Sequence, residues 1–287
     1  MQFTVGPKSE KPAAADAIAP VAGIFDSGLG GLSVVREMVN RSSQMPFVYV
    51  ADQAHAPYGD RSFRELRGFS EGITEYFKKQ SVQIIAIACN TASAAALYSM
   101  REQYPFIHFV GMEPAIKPAA ERTRTGKIAV IATRGTFEGE PYAGVLARFA
   151  RDVEVYTRVC PDFVNLVEDG DFDSARALEI VAAVIHPLLD KGVDQLALGC
   201  THYSFLAPLI AAVADGALDI IDPAAAVARQ LERVASRLAP KAGWDQGNAA
   251  PFQYFVTTGD VRRFEASVNK LLNLKITAAS GRWSENE

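Results

Sequence analysis

Ile84-Ile85-Ala86-Ile87-Ala88-Cys89-Asn90-Thr91-Ala92-Ser93 is the stretch from which the fold can be read. The run Ile84–Ala88 is short and rich in β-branched residues, and it ends abruptly in a thiol, an amide and a hydroxyl. A continuous apolar run of this length is expected of a strand covered on both faces, as in a parallel sheet. The small polar residues behind it suit the start of a helix. Gln195–Leu198 followed by Gly199-Cys200-Thr201-His202-Tyr203 has the same form.

Outward from these two stretches the pattern continues. Val21–Phe25, Phe47–Val50, Ile107–Val110, Ile128–Ala132, Val153–Val155 and Leu218–Ile221 are further short apolar runs. Amphipathic stretches lie between them: Phe63–Gln80, Ser93–Tyr104, Tyr142–Arg151, Phe172–Lys191 and Ala224–Leu238. Such alternation predicts an α/β fold with mainly parallel sheets. A loose internal repeat adds to this. GIFDSG (23–28) is followed by IAIACNTAS (85–93), and IAVIATRGT (128–136) by LALGCTHYS (196–204). Two similar α/β halves facing each other across a cleft are expected, with one thiol on each wall, because ligands of open α/β sheets bind at the carboxyl ends of strands.

Bulk properties bound the function. At 287 residues the chain suits two domains. We expect 21–116 plus 227–287 to form the first, discontinuous domain and 117–226 the second. Residues 1–20, with little but Pro, Ala, Lys and Glu, read as a disordered tail or an extension outside the fold, and Ala278–Glu287 reads the same way. With 49% hydrophobic and 22% charged residues and a net charge of −4, the chain is of globular class and carries no basic stripe for nucleic acid. No run approaches the length of a membrane helix, and no apolar leader precedes the fold. Three cysteines suggest reduced thiols and a cytoplasmic location rather than a disulfide framework.

The individual motifs carry unequal weight. A lone cysteine is usually a small buried hydrophobe, and that is the reading for Cys160. Cys89 and Cys200 differ, because both follow a strand directly and both head a helix start, where N–H groups favour a thiolate or a carboxylate. Asp26-Ser27-Gly28-Leu29-Gly30-Gly31 is a glycine-rich strand-to-helix turn without the spacing of a nucleotide loop. Position alone leaves open whether Asp26 caps a helix or lines a cleft. His202 stands close enough to Cys200 in sequence to tune it. For Glu168 the residues alone favour a solvated charge at a helix end. No histidine or cysteine spacing suggests a metal site.

Taken together, the motifs resemble bacterial glutamate racemases of the aspartate/glutamate racemase superfamily. The matching pieces are FDSGLGG (25–31), PYG (57–59), ACNTASA (88–94), EPA (113–115), the Thr133…Thr136 strand end, Cys160-Pro161 with the following LVE (166–168), and LGCTHY (198–203). The resemblance implies racemisation of glutamate without pyridoxal phosphate, metal or other cofactor, supplying D-glutamate for peptidoglycan. One thiolate takes the α-proton and the opposite thiol returns a proton to the other face. It implies that Cys89 deprotonates D-glutamate with the help of Asp26, and that Cys200 deprotonates L-glutamate with the help of His202 and Glu168. Ser27, Tyr58, Gly59, Asn90, Thr91, Thr133, Thr136 and Thr201 match substrate-binding positions. The implied partner is the small-molecule substrate, with neither nucleic acid nor membrane, and a homodimer is left open.

Departures and rivals remain. The family often reads Gly-Asp-Thr-Ala-Arg where this chain has Ala51-Asp52-Gln53-Ala54-His55, Gly in place of Ala132 and Pro in place of Ser204. Aspartate racemases of the same superfamily commonly carry Glu at the position of His202 and His at that of Ser93, so both positions side with glutamate. A two-lobed amino-acid binding protein would need no paired thiols. A thiol hydrolase would leave one of the two matched cysteines unexplained.

Overall fold

The computed structural model describes residues 1–5, 22–238 and 253–284. Its strands are β1 (Gln2–Val5), β2 (Ala22–Asp26), β3 (Phe47–Ala51), β4 (Ile84–Ile87), β5 (His108–Gly111), β6 (Lys127–Ala132), β7 (Glu154–Val159), β8 (Gln195–Gly199), β9 (Asp219–Ile221), β10 (Gln253–Thr257) and β11 (Ala278–Ser284). The helices are α1 (Leu32–Asn40), α2 (Phe63–Lys79), α3 (Asn90–Gln103), α4 (Ile116–Arg122), α5 (Arg134–Glu138), α6 (Glu140–Phe149), α7 (Pro161–Asp169), α8 (Ala175–Leu189), α9 (Ala207–Ala214), α10 (Ala224–Leu238) and α11 (Val261–Leu272).

The strands form a seven-stranded sheet, ordered β1-β11-β10-β3-β2-β4-β5, and a four-stranded sheet, ordered β7-β6-β8-β9. Every pairing is parallel except β1 with β11. Within the larger sheet, β3-β2-β4-β5 repeats the order of the smaller one. In each, the first strand of the set has the second on one side and the third on the other. The crossovers therefore diverge at two places, between β2 and β4 and between β6 and β8. A crevice opens at the carboxyl end of such a switch point. Asp26 ends β2 and Cys89 follows β4; Thr133 follows β6 and Cys200 follows β8. The internal repeat of the sequence is thus the repeat of one topology.

The central strands of both sheets are covered on both faces. Ile84 and Ala86 of β4 join one apolar cluster, and Ile85 and Ile87 join another, as the two-residue period of a strand requires. In the smaller sheet Ala129 and Ile131 face the first of these clusters, and Ile128 and Val130 face a third. The first cluster is continuous from Ile24 and Tyr49 through Val35 and Leu231 to Leu198 and Phe163, so the inner faces of the two halves share one core.

The termini depart from expectation. Gln2–Val5 is a strand, antiparallel to β11, and Ala278–Ser284 is a strand rather than a disordered tail. Without β11, strand β10 would present an open edge, which β-proteins usually cover. The small residues Ala278 and Ala279 are buried on that edge. Phe3 and Trp283, with ring centroids 5.1 Å apart, anchor the two added strands. Few apolar residues do this work, so composition concealed it. The rest of the expected N-terminal extension, residues 6–20, and residues 285–287 lie outside the described residues.

Candidate active site

Cys89 and Cys200 are built alike. Each stands at the head of a helical turn, α3 for Cys89 and the short 3₁₀ turn Thr201–Phe205 for Cys200. Each has extended backbone, with φ −137° and ψ 123° at Cys89 and φ −147° and ψ 134° at Cys200. Both are buried and neither forms a disulfide. Burial pushes the Cys89 thiol well above the usual range; the Asp26 carboxylate and Cys200 add to this, and the α3 amides of Ala92 and Thr91 work against it. Cys89 is therefore a thiol at neutral pH, ready to give a proton.

Around Cys200 lies a chain of polar groups. His202 Nδ1 is 3.8 Å from its sulfur, and His202 Nε2 is 2.8 Å from Glu168 Oε1. Burial would lower the imidazole's pKa, yet its contacts with Cys200 and Glu168 outweigh burial and raise it well above its ordinary value. Burial likewise pushes Glu168 up, but the hydrogen bond and charge of His202 bring it below the usual carboxylate range. The pair is an imidazolium and a carboxylate. Glu168 also accepts the N–H of Leu29 at 2.8 Å and Gln53 Nε2 at 3.1 Å. It is not the solvated charge its sequence position suggested.

Asp26 has no exposed surface. Its Oδ1 accepts Gly28 N–H at 2.8 Å, and its Oδ2 accepts the Thr201 hydroxyl at 3.1 Å. Burial raises its pKa, against the opposing charge of His202. Its hydrogen bonds therefore reach the residue next to Cys200, and its effect on Cys89 is electrostatic rather than through a direct bond. Each carboxylate thus sits on one half and bonds to the other.

Other expected residues gather at the same place. Thr91 Oγ1 lies 2.7 Å from Thr133 Oγ1, which lies 3.0 Å from Thr136 Oγ1. Asn90 is 2% exposed, and both atoms of its amide are without a partner. An unsatisfied buried amide costs about 1–3 kcal/mol, which a polar ligand would relieve. Ser27 is buried in the turn after β2. Gly59 packs on the Thr133 side chain, so its lack of a Cβ lets the walls approach. Tyr58 is buried, but its hydroxyl is spent on Asp52 Oδ2 at 2.7 Å. Cys160 lies in the core, its thiol pushed up to about 12 by burial.

Gln53 and Asp52 were not among the expected site residues. Asp52 is buried and accepts from Tyr58, Thr258 and Trp283. The one sequence signal for Gln53 was that it departs from the motif around it.

Comparison with known proteins places this geometry. Residues 23–231 match the family model described as Asp/Glu/Hydantoin racemase. A glutamate racemase of Pseudomonas paraeruginosa is 47% identical over 218 residues, covering 76% of this chain and 82% of that protein. One of Ectopseudomonas mendocina is 42% identical over 254 residues, covering 88% and 95%. Among solved structures, a glutamate racemase isoform from Bacillus anthracis superposes with a TM-score of 0.78 at 31% identity, covering 91% of this chain and 96% of that one. The Escherichia coli glutamate racemase, solved with L-glutamate and an activator, gives 0.77 at 27% identity, covering 88% and 96%. The chain belongs to the Asp/Glu/hydantoin racemase family.

Proposed function

We propose that this chain interconverts L- and D-glutamate by a two-thiol mechanism. The observation that carries the reading is the pair of buried cysteines on matched backbone, one at the switch point of each sheet. Inversion at a carbon through a planar carbanion needs a base on one face and an acid on the other. Two thiols can serve both directions, because an ordinary thiol pKa of about 8.5 lies close enough to neutrality for either role; burial, which raises Cys89, sets it as the acid at the outset. With L-glutamate, the Cys200 thiolate takes the α-proton, and the Cys89 thiol delivers its proton to the opposite face. Cys200 is then the thiol and Cys89 the thiolate, the state that accepts D-glutamate.

The remaining residues take supporting roles. The imidazolium of His202, held by Glu168, stands beside the Cys200 sulfur and stabilises its anionic form. Asn90, Thr91, Thr133 and Thr136 offer an amide and hydroxyls to the substrate's carboxylates and ammonium, and Ser27, Tyr58, Gly59 and Thr201 shape the pocket. Relatives named as glutamate racemases, and a Francisella tularensis structure with D-glutamate at 25% identity, support glutamate over aspartate. The two sheets are read as two domains, 21–116 with 227–287 and 117–226 between them. No described helix is long and apolar enough to cross a membrane. Action in the cytoplasm, feeding D-glutamate to peptidoglycan, completes the proposal, and a homodimer is the first assembly to look for by sedimentation.

The test is incubation of the purified protein with each enantiomer of glutamate and of aspartate, with chiral separation of the product. Glutamate should reach equal amounts of both enantiomers from either side. Equal or faster turnover of aspartate would contradict the reading.

A further inference from the structure

Gln53 follows β3 in a short 3₁₀ turn, Gln53–His55, and its side chain reaches in two directions. Its Oε1 accepts the Thr257 hydroxyl at 2.8 Å. Its Nε2 donates to Glu168 Oε2 at 3.1 Å. The orientation of the carboxamide is set by the rest of the network. Thr257 Oγ1 already accepts Gly259 N–H at 3.0 Å, so its own proton is free to be donated. Glu168 Oε2, a carboxylate oxygen, can only accept, which puts the NH2 of Gln53 toward Glu168 and leaves its carbonyl to take the Thr257 proton. Gly259 leaves the room for this, since a Cβ there would stand 2.9 Å from Gln53 Cβ. The turn is pinned as well, by Ala54 N–H donating to Thr258 Oγ1 at 2.9 Å.

We propose that Gln53 is a positioning residue for the reaction: a donor from the first half of the chain that fixes Glu168 as a carboxylate aimed at His202, and so sets the proton state of the Cys200 wall. The inference rests on the two-thiol reading above. The relay runs Gly259, Thr257, Gln53, Glu168, His202, Cys200, each donating to or facing the next. Gln53 touches none of the reacting atoms in this relay. It acts through Glu168, whose two oxygens are divided, one for His202 and Leu29 N–H and one for Gln53. Without Gln53, Oε2 loses its donor, the carboxylate is less favoured, and the imidazolium loses part of its counter-charge. Other charges facing the pair are Asp26 from β2 and Cys200. Tyr49 of β3 also senses Glu168, and Arg263 of α11 binds the Glu168 carbonyl and Asp169. None of these takes the place of Gln53 at Oε2.

Gln53→Met keeps the volume and removes both hydrogen bonds. A hydrogen bond to a charged group is worth roughly a factor of ten or more in an equilibrium. We expect kcat to fall about tenfold with KM nearly unchanged. The pH range of kcat/KM should narrow from both sides, since the Glu168 limb moves up and the His202 limb moves down. Thr257→Val, which unseats the other end of the carboxamide, should give the same narrowing to a smaller degree. Combined with Glu168→Gln, Gln53→Met should add nothing further. The same relay is read without turnover from the NMR titration of His202, whose midpoint should drop in Gln53→Met. Unchanged pH limbs, an unmoved His202 titration, or a loss that multiplies with that of Glu168→Gln would overturn the role of Gln53. In that case wild-type racemisation of glutamate would still stand, because it is measured in the same assay.

Discussion

The Asp26 carboxylate, at the end of the strand beside Cys89, accepts its hydrogen bond from Thr201, the residue after Cys200, 3.1 Å away. Glu168 does the reverse, reaching from the Cys200 half to the amide of Leu29 in the Cys89 half. The two carboxylates hydrogen-bond across the walls, while His202 stays beside Cys200 and Asp26 still acts by charge on Cys89. Asp26→Asn keeps the shape and one acceptor oxygen while removing a buried charge that burial disfavours. The variant should keep a melting temperature within a few degrees of the parent. It should lose about 10²–10⁴-fold in kcat, the usual contribution of a positioned acid or base. Because Asp26 touches the Cys200 wall, α-deuterium isotope effects should change with both enantiomers. A change with D-glutamate alone would mean that Asp26 serves Cys89 only.

Gly28 and Gly30 are required by proximity and not by backbone angle. Among the described residues, the positive-φ glycines are Gly126, Gly170, Gly192 and Gly216. A Cβ on Gly28 would collide with Glu168, and one on Gly30 with His202 and Thr201. Gly30→Ala should therefore cost a modest ~1–3 kcal/mol of stability, as overpacking does, but force the walls apart. Activity should drop more than a hundredfold, since misplacement by about 1 Å can cost that much. Retention of activity in Gly30→Ala, measured by chiral chromatography, would show that the walls need not meet this closely.

The Glu168–His202 pair links stability to pH. His202 has a folded pKa raised above 6.5, so its contribution is complete below that value and fades as pH rises through the raised one. Glu168 has a folded pKa below 4.5, so its contribution is complete above 4.5 and fades as pH falls through the lowered value. Both contribute fully between 4.5 and 6.5. Glu168→Gln should cost about 3 kcal/mol in that window, as the breaking of a buried pair does, and less above it. Urea denaturation at several pH values reads this; a cost independent of pH would mean the pair is not ionised.

The Cys89 thiol, pushed up by burial, should resist alkylation near neutrality. Since the thiolate is the nucleophile, labelling by iodoacetamide should quicken about tenfold per pH unit, and glutamate should protect. Peptide mass spectrometry resolves Cys89 from Cys160 and Cys200. A labelling rate at Cys89 that is flat from neutral to alkaline pH would mean that it rests as a thiolate.

Much of this was legible from residues alone. The apolar runs at Ile84–Ala88 and Gln195–Leu198 lie within one residue of strands β4 and β8, because both-face burial leaves a continuous apolar signature. Ala224–Leu238 is the helix α10 with the bounds its amphipathic pattern gave. The strands β1 and β11 were not legible, since Phe3 and Trp283 carry their packing among small and polar neighbours. Glu168 looked solvated because its partners, Leu29, Gln53 and His202, are distant in sequence and meet it only once the halves close. The role of Gln53 was hidden for the same reason: its departure from the motif marks the position, but a glutamine in a turn shows nothing of what lies across the cleft.

The claim that two opposed thiols carry the proton is tested most directly by racemisation in D2O, followed by NMR and mass spectrometry of both enantiomer pools. Starting from L-glutamate, the D-glutamate formed first should carry deuterium at the α-carbon, delivered from the exchanged Cys89 thiol, while the remaining L-glutamate stays protiated. The reverse should hold from D-glutamate. Early product that keeps its original α-proton, or substrate that becomes deuterated as fast as product, would mean that one base serves both faces and would contradict the two-thiol account.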